Sequence, residues 1–421
     1  MVSKAIAGCV GTIAAPRREG ARAWPALRSL LGVQGFLRLC LGNGLAFSGL
    51  RLQNIALAWL VLEMTGSKLV LGVVVGVPAL GVIGASLLGG VLADSRHARN
   101  GLRWTRLAMA ASAIFGGLLV TTGQVEIGLL MVVALVTSFA TAVDMPVGRT
   151  LIFDAVGRER ALASMAMGTM VSNLCAVAGP LVVGVLMSRF GVDVALYAVG
   201  ASYAAAATLV PPMAAGVAGH ERLNPLHEVR AGLGYLRDAP CVAWLVSLFF
   251  LVPFAGMYFA MVPVYAHEVL DAGPAGLGVL MAAWGAGTAI GSGYLVLNSQ
   301  MRRRGARVTG FGLAFGVSVI AFAASGSIVV SVLLAFVSGV IGMLWQNTLS
   351  AMVQTAAAPD MKGRTMSIGT MGIQLMSVGW LFAGVMSSLA GPVVTVAFAG
   401  AAFAGLSLVV FVRSADVRAI D

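Results

Sequence analysis

Long runs of apolar residues, separated by short polar stretches, make up most of the chain after residue 38. A helix that crosses a bilayer needs roughly 20 predominantly apolar residues, whereas the strands of a membrane barrel are ~10-residue alternating segments. The continuous runs therefore predict an all-α integral membrane protein with twelve membrane-spanning helices. The predicted spans lie at about 39–62, 69–93, 104–122, 127–150, 164–188, 194–213, 242–264, 275–299, 309–325, 327–350, 366–389 and 393–412.

The spans form two groups of six, because the longest hydrophilic stretch follows the sixth span. The two groups share a short segment at the end of their fifth span, GVLMSRFG at 184–191 and GVMSSLAG at 384–391. Two six-helix halves joined by a linker are typical of transporters in which the halves rock around a central site. The predicted organisation is a cytoplasmic N-terminal extension at 1–35 that is expected to be disordered, an N-terminal half at 36–213, a cytoplasmic linker with an amphipathic helix at 214–241, a C-terminal half at 242–413 and a cytoplasmic tail at 414–421.

Composition supports a membrane location, and charge gives the orientation. Of the 421 residues 59% are hydrophobic and only 10% are charged, whereas about a quarter of an ordinary soluble domain is charged. Nearly all of the 27 lysines and arginines fall on one side of the predicted spans, among them Arg99, Arg103 and Arg106 in the loop between spans 2 and 3 and at its exit. Basic residues accumulate on the cytoplasmic side, so both termini are predicted to be cytoplasmic. This topology explains the net charge of +11 without a nucleic acid partner.

The sequence contains none of the motifs that would indicate an enzyme or an ATP-driven pump. The four cysteines and four histidines are dispersed, and neither a phosphate-binding GxxxxGK[ST] loop nor an HExxH pair occurs. We therefore expect no catalytic activity, no cofactor and no bound metal. A membrane sensor or scaffold without transport activity stays open as an alternative.

Five separated segments carry a family resemblance. They are FLRLCLGNGLAFSG, the following ALAWLVLEMTGSKLVLG, DMPVGRTLIFDAVGRERALASM, VPVYAHEVLDAGPAGLGVLMAAWGAG and PDMKGRTMSI. The chain resembles a transporter of the major facilitator superfamily, in the branch that includes the enterobactin exporter and drug and macrolide efflux proteins. The resemblance implies the major facilitator fold.

The resemblance also implies a function. It predicts a monomeric antiporter in the bacterial inner membrane that exports small organic molecules, drug-like compounds or siderophores, in exchange for protons through alternating access. Its expected partners are the substrate, protons and the lipid bilayer. The alternatives are a dedicated siderophore or metabolite exporter of narrow specificity and a proton-coupled importer.

Two glycine-containing motifs are similar to signatures of this superfamily. Gly90, Asp94 and Arg99 match the signature between helices 2 and 3, although three other positions of GGVLADSRHARN depart from it. A glycine permits close helix contact and an aspartate can bind a helix N-terminus or an arginine, so this segment is predicted to be a conformational latch. Further along, the fifth span contains Gly179, Pro180 and Gly184, which partly match the signature of the superfamily's antiporters. The resemblance therefore implies that these three residues form an antiporter-like motif.

Charged residues inside the spans are costly and are therefore candidates for function. Arg51 lies near the middle of the first span, and Asp144 lies in the fourth span, five residues before Arg149. We expect Arg51 and Asp144 to approach each other as an ion pair or a proton-responsive couple, with Asp144 as the proton carrier and Arg149 as an accompanying charge. In the alternative interpretation, Asp144 and Arg149 only fix the end of the fourth helix and the loop that follows.

The substrate cavity is expected to be lined by aromatic and amide side chains, which suit an amphipathic organic molecule. Asn54 lies one helical turn from Arg51 on the same face of the first span. The other candidates are Trp284 in the eighth span and Gln346 and Asn347 in the tenth.

Overall fold

The computed structural model describes residues 35–78, 98–156, 161–211, 234–297, 304–358 and 361–414, in which every regular element is a helix. Most of the predicted N-terminal extension, linker and tail lie outside these residues. The first six helices are α1 (Phe36–Thr65), α2 (described over Lys68–Pro78), α3 (Ala98–Thr121), α4 (Ile127–Val156), α5 (Ala161–Phe190) and α6 (Val192–Thr208). The later helices are α7 (Pro240–Phe249), α8 (Val252–Val264), α9 (Gly273–Leu297), α10 (Arg304–Ala323), α11 (Ile328–Ala356), α12 (Lys362–Gln374), α13 (Met376–Ala390) and α14 (Pro392–Arg413).

The described residues contain ten helical stretches that are long and apolar enough to cross a membrane. Two shorter apolar helices, Lys68–Pro78 and Val192–Thr208, accompany them. One of the ten stretches, Pro240–Val269, combines α7, α8 and a π-helical segment at Tyr265–Val269. These findings confirm the predicted all-helical class with many potential membrane spans.

The sequence repeat marks two equivalent helix boundaries. Each copy ends in a glycine, Gly191 between α5 and α6 and Gly391 between α13 and α14. These glycines have φ angles of 99° and 85°, in a region where a side chain would be strained. Each glycine therefore allows one apolar helix to end and the next to begin after a single residue.

Two predicted spans are each built from two helices, which the hydrophobic pattern did not predict. The span at 242–264 is broken between α7 and α8, where Pro253 follows directly and cannot donate a backbone hydrogen bond. The span at 366–389 is broken at Leu375, between α12 and α13. The second break contains no proline. It packs against α8, since a side chain at Gly256 would collide with the carbonyl oxygen of Met376.

The described residues divide into two compact units. The N-unit comprises the described part of 16–220 together with Ala266–Ala282. The C-unit comprises the described part of 221–265 and of 283–421. In the N-unit α1 contacts α4, α5 and α6, and α3 packs against α4 and α6. In the C-unit α10 packs against α11 and α14, while α8 packs against α13 and α14.

Candidate functional site

Arg106 is a fully buried arginine in helix α3, with 0% of its surface exposed. The sequence indicated only that Arg106 lies at the exit of the loop between spans 2 and 3. Helix α3 begins at Ala98, six residues before the predicted start of the third span, so Arg106 lies eight residues, or about 12 Å, inside the helix. A buried guanidinium requires hydrogen-bond acceptors and a compensating charge.

Every nitrogen of the Arg106 guanidinium has an acceptor. Nε donates to Asp144 Oδ1 of α4 at 2.9 Å, and Nη1 donates to the carbonyl oxygen of Ala206 in α6 at 2.9 Å. Nη2 donates to Asn43 Oδ1 of α1. Asn43 in turn donates through Nδ2 to the carbonyl oxygen of Gly148 in α4, at 3.2 Å. Four helices of the N-unit therefore meet at one charged group, which we call the Arg106 site, consisting of Asn43, Arg106, Asp144 and the Ala206 carbonyl.

The fold leaves little spare space around the Arg106 site. A Cβ atom at Gly42 of α1 would lie 2.7 Å from Arg106 Nη1 and 3.2 Å from the Ala206 oxygen. Real Cβ atoms do not approach other atoms that closely, so Gly42 permits the guanidinium to pass between α1 and α6. The packing therefore fixes the position of the arginine as well as its bonding.

Asp144 lies deeper in its helix than the sequence indicated. Helix α4 continues to Val156, so Asp144 is twelve residues, or about 18 Å, from its end instead of six residues from an end at 150. Its side chain is 10% exposed. Because its ionised carboxylate neutralises Arg106, protonation of Asp144 would leave the arginine bound only to neutral acceptors. The pair can therefore change its bonding when one proton arrives or departs.

The expected pairing of Asp144 with Arg51 is corrected by the structure, because Asp144 pairs with Arg106. Arg51 lies eight residues beyond Asn43 in α1, about 12 Å further along the helix. Its guanidinium carbon lies 4.8 Å from the centroid of the Phe47 ring, and its side chain is exposed. Arg149 is exposed on α4. Sequence reasoning could not identify the partner of Asp144, since the two residues lie 38 positions apart.

A second buried polar cluster lies within the same unit. Gln53 Nε2 of α1 donates to Thr137 Oγ1 of α4 at 2.8 Å, and the hydroxyls of Thr137 and Ser112 of α3 are 2.8 Å apart. Gln53 is 0% exposed. The cluster gives α1, α3 and α4 a second point of polar contact. Two separate sets of hydrogen bonds therefore hold these three helices of the Arg106 site in position.

The glycines of the predicted antiporter motif lie at close helix contacts. A Cβ atom at Gly179 of α5 would lie 2.7 Å from Ser48 Oγ of α1. One at Gly184 would lie 2.9 Å from the Cα atom of Gly278 in α9. A Cβ atom at Gly278 would in turn lie 2.6 Å from the carbonyl oxygen of Pro180. Helix α5 is thereby held against α1 and against the first turns of α9.

Most of the predicted latch lies outside the described residues. Gly90 and Asp94 are outside the described residues, and Arg99 is half-buried in the first turn of α3. Arg99, Arg103 and Arg106 follow one another at spacings of four and three residues, which places them on one face of α3. This spacing is the signal that could have identified Arg106 as a helical residue facing its neighbours.

The predicted substrate residues belong to different units. Asn54 is half-buried on α1 of the N-unit. In the C-unit the half-buried Trp284 of α9 contacts Phe259 of α8 edge to face, with ring centroids 4.7 Å apart. Gln346 and Asn347 are half-buried on α11 of the same unit. An aromatic pair and two amides are thus available in the C-unit.

One further charged cluster joins the end of α1 and the start of α2 to the π-helical segment before α9. Lys68 Nζ lies 2.8 Å from Glu268 Oε2, and the ring centroids of Trp59 and His267 are 5.1 Å apart. All four residues belong to the N-unit. Among the described residues no group of three or more histidines, cysteines or acids is arranged to hold a metal ion.

These features define a class of protein. Many apolar helices, close glycine contacts between them and a charged pair buried inside one bundle are the construction of a polytopic secondary transporter. The chain belongs to the Major Facilitator Superfamily, whose family model matches residues 39–381. The predicted family is therefore confirmed.

Relatives and solved structures agree with this assignment. The chain is 25% identical over 390 residues to the multidrug efflux pump Tap of Mycolicibacterium fortuitum, covering 87% of this chain and 89% of that protein. Its fold is similar to that of a bacterial homologue of the human lysosomal transporter Spinster, with a TM-score of 0.68, 14% identity and coverage of 94% and 97%. It is also similar to the nucleoside transporter NupG, with a TM-score of 0.68, 14% identity and coverage of 90% and 98%. The protein is thus a multi-pass membrane transporter.

Proposed function

We propose that this transporter exports small organic molecules across the inner membrane of a bacterium in exchange for protons. The direction of transport is supported by the efflux relative and by the glycines and proline of α5. Proton exchange is supported by the Arg106 site, which is the observation that carries the proposal. It is a buried acid–base pair whose bonding depends on a single proton.

The proposed topology has twelve spans with both termini in the cytoplasm. The ten long apolar stretches and the two shorter apolar helices together give twelve. An even number of spans puts both termini on the same side, and the distribution of lysine and arginine favours the cytoplasm. In this arrangement Arg106 is nearer to the cytoplasmic end of α3, and Asp144 is nearer to the cytoplasmic end of α4.

The proposed mechanism follows from the contacts of Arg106. While Asp144 is ionised, the guanidinium links α4 to α1 and α6 through one charged and two neutral acceptors. When Asp144 binds a proton, the charged attraction is lost and the link between α3 and α4 weakens. A ligand that favours one arrangement of these helices must, by thermodynamic linkage, change the proton affinity of Asp144. Substrate and proton can thereby be exchanged without direct contact between them.

The close contacts of α5 suit an exchanger. Gly179 and Gly184 bring α5 against α1 and α9 with no room for a side chain. A tightly packed crossing excludes water, and water is needed for proton leakage. In this proposal the contact prevents protons from crossing when no substrate is carried.

The experiment uses everted membrane vesicles with a pre-formed acidic lumen and a pH-sensitive fluorophore. Dyes, macrolides and siderophores are added singly to vesicles containing the wild type or Asp144→Asn. Loss of lumenal acidity that requires a substrate, and that is absent in Asp144→Asn, is the expected result. Glu126→Gln serves as the control, because Glu126 is an exposed acid just before α4.

Two outcomes would contradict parts of the proposal. If labelled substrate crosses the membrane without moving protons, the protein is a uniporter or is coupled to another ion. If Asp144→Asn retains full substrate-dependent proton movement, Asp144 is a structural residue and the proton is carried elsewhere.

A further inference from the structure

Tyr203 of α6 carries a buried hydroxyl that the bonding of the Arg106 site does not use. Its side chain is 0% exposed, and the hydroxyl has no hydrogen-bond partner among the described residues. A buried polar group without a partner is costly, so one in a folded protein requires an explanation, such as a role in the reaction. The surroundings of Tyr203 indicate what its hydroxyl can bind.

The packing of α1 and α6 fixes the position of the Tyr203 ring. A Cβ atom at Gly49 of α1 would lie 2.7 Å from Tyr203 Cε1 and 3.0 Å from Cζ, which carries the hydroxyl. The polar end of the ring therefore lies against α1. Ala206, whose carbonyl accepts a hydrogen bond from Arg106, follows three residues later in α6, a rise of about 4.5 Å. Tyr203 is thus about one helical turn from the Arg106 site.

Two hydrogen bonds between α1 and α4 give the depth of Asp144 relative to this ring. They join Asn43 to Gly148 and Gln53 to Thr137. The two helices are therefore antiparallel, and Asp144 lies level with about residue 46 or 47 of α1. Gly49, which supports the ring, is two or three residues further, or about 4 Å. The Tyr203 hydroxyl and the Asp144 carboxylate are accordingly at nearly the same depth, and they interact electrostatically.

Asp144 needs a different partner once it binds a proton. An ionised carboxylate only accepts hydrogen bonds, whereas a carboxylic acid also has an O–H donor. Arg106 has donors and no acceptor, so it cannot bind that donor. Asn43 Oδ1 and the Ala206 carbonyl already accept hydrogen bonds from Arg106. In a buried site the acid therefore requires a further acceptor.

The other groups around Asp144 are less suited to this role. Thr105 of α3 also lies beside Asp144, but its side chain is half-buried and its hydroxyl donates to the Leu102 carbonyl oxygen at 3.0 Å. The remaining described charged side chains of α1, α3, α4, α5 and α6 are exposed or half-buried, namely Arg38, Arg51, Glu63, Arg99, Arg103, Arg149, Arg189 and Asp193. Tyr203 offers a fully buried hydroxyl whose donor and acceptor are both unused by the described residues.

We infer that Tyr203 accepts the hydrogen bond of protonated Asp144 and thereby stabilises the proton-loaded transporter. This inference rests on the proposed function, in which Asp144 carries the proton. Because Asp144 Oδ1 faces Arg106, the proton binds Oδ2, forms an O–H bond there and neutralises the carboxylate. The new O–H group donates to the phenolic oxygen, and Tyr203 keeps its own proton throughout. When the proton leaves for water, the carboxylate again depends on Arg106.

Infrared difference spectroscopy between acidic and neutral pH tests this contact on the purified full-length protein in lipid nanodiscs. The carbonyl band of protonated Asp144 is the band that is absent from Asp144→Asn. A hydrogen bond donated by the acid lowers the frequency of this band, so the band should move to higher frequency in Tyr203→Phe. At neutral pH the melting temperature of Tyr203→Phe should equal or exceed that of the wild type, because the substitution removes a buried hydroxyl without a partner.

The vesicle assay gives the functional consequence. Tyr203→Phe leaves the O–H donor of protonated Asp144 without its acceptor, which makes the proton-loaded state at least about fivefold less populated. Substrate-dependent proton movement should fall by a similar factor.

Two variants serve as controls. Tyr197→Phe is the same substitution on the same helix, but the Tyr197 hydroxyl has a partner, Thr121 Oγ1 at 3.0 Å. It should leave the Asp144 band unchanged and should not raise the melting temperature. Thr105→Val removes the competing hydroxyl and should also leave the band unchanged.

The inference is overturned if the band keeps its frequency in Tyr203→Phe, if it moves in Thr105→Val instead, or if no band depends on Asp144. A lower melting temperature of Tyr203→Phe at neutral pH would also contradict it, because the hydroxyl would then have a structural bond. Failure of the proposed function looks different. A band that moves as expected, in a protein whose vesicles show no substrate-dependent proton movement, supports the role of Tyr203 and contradicts proton exchange. Proton movement that is lost in Asp144→Asn and unchanged in Tyr203→Phe supports proton exchange and overturns the inference.

Discussion

Arg106 Nε of α3 lies 2.9 Å from Asp144 Oδ1 of α4, and this ion pair is shielded from solvent on nearly all sides. Removing two charges from water is expensive, and their attraction repays that cost only when the geometry is good and other hydrogen bonds are satisfied. Both conditions hold for Arg106, since Asn43 and the Ala206 carbonyl accept its remaining donors. These neighbours therefore stabilise the buried pair. Substitution of either member would leave the other charge buried without compensation, which is unfavourable.

The first prediction is that Arg106→Gln destabilises the protein strongly. Loss of one member leaves an uncompensated buried carboxylate, which typically costs about 3–5 kcal/mol. The double variant Arg106→Gln with Asp144→Asn should recover part of this loss, because no buried charge remains. Thermal unfolding of the purified protein, followed by tryptophan fluorescence, measures both effects.

Arg103→Gln is the matched control for this prediction. Arg103 lies one turn before Arg106 and is half-buried, and its Nη2 donates a hydrogen bond to the Val210 carbonyl oxygen at 2.9 Å. Its loss should cost clearly less than the loss of Arg106. Equal destabilisation by the two substitutions would mean that the Asp144 pair has no special role in stability.

The second prediction concerns the contact between α5 and α9. Gly184→Val should destabilise the N-unit by about 1–3 kcal/mol, because the added side chain collides with the backbone of Gly278. The collision can be relieved only if one of the two helix backbones moves. Gly128→Ala is the control, since a Cβ at Gly128 of α4 has nothing within 4 Å. Thermal unfolding of the two variants makes the comparison. A Gly184→Val protein as stable as the control would show that α5 and α9 are not in close contact.

Much of the fold could be predicted because its physical basis is local. An apolar run that is long enough to cross a bilayer as a helix predicts a helix wherever it occurs. Gly191 and Gly391, at the ends of the two repeat copies, likewise predict helix boundaries. The break at Leu375 could not be predicted, because no proline or charge marks it. Its position depends on packing against α8, which is a contact between distant parts of the chain.

The candidate site was predictable only in part, for the same reason. Asp144 was identified because an acid inside an apolar run is rare. Its partner Arg106 lies inside the predicted span at 104–122, but it was counted with the basic residues of the adjoining loop, and that count carries no information on burial. The spacing of Arg99, Arg103 and Arg106 predicts that they share one face of a helix, which would have indicated that Arg106 is buried. Its contact with α4 could not be predicted, because that contact depends on the tertiary fold.

The third prediction tests the second buried polar cluster of the N-unit, which consists of Gln53, Thr137 and Ser112. Thr137→Val removes the hydroxyl that accepts a hydrogen bond from Gln53 Nε2, and leaves a fully buried amide without that partner. An unsatisfied buried donor costs about 1–3 kcal/mol, so the melting temperature should fall. Thr137→Ser keeps the hydroxyl and should be closer to the wild type. A valine variant that is more stable than the serine variant would contradict this assignment.

The last prediction uses the ion pair between Lys68 and Glu268, whose side chains are 21% and 31% exposed. Lys68→Glu places two carboxylates together, and Glu268→Lys places two ammonium groups together, so each single substitution should lower stability. The double variant restores an attractive pair with the charges exchanged, and should be more stable than either single variant. Partly exposed pairs contribute only about 0.2–1 kcal/mol, and salt screens them. Thermal unfolding should therefore show the largest differences at low ionic strength and smaller ones in high salt. If the double variant is the least stable of the three at low salt, the two side chains do not attract each other in the folded protein, and the contact between the start of α2 and the π-helical segment depends on the Trp59 and His267 rings instead.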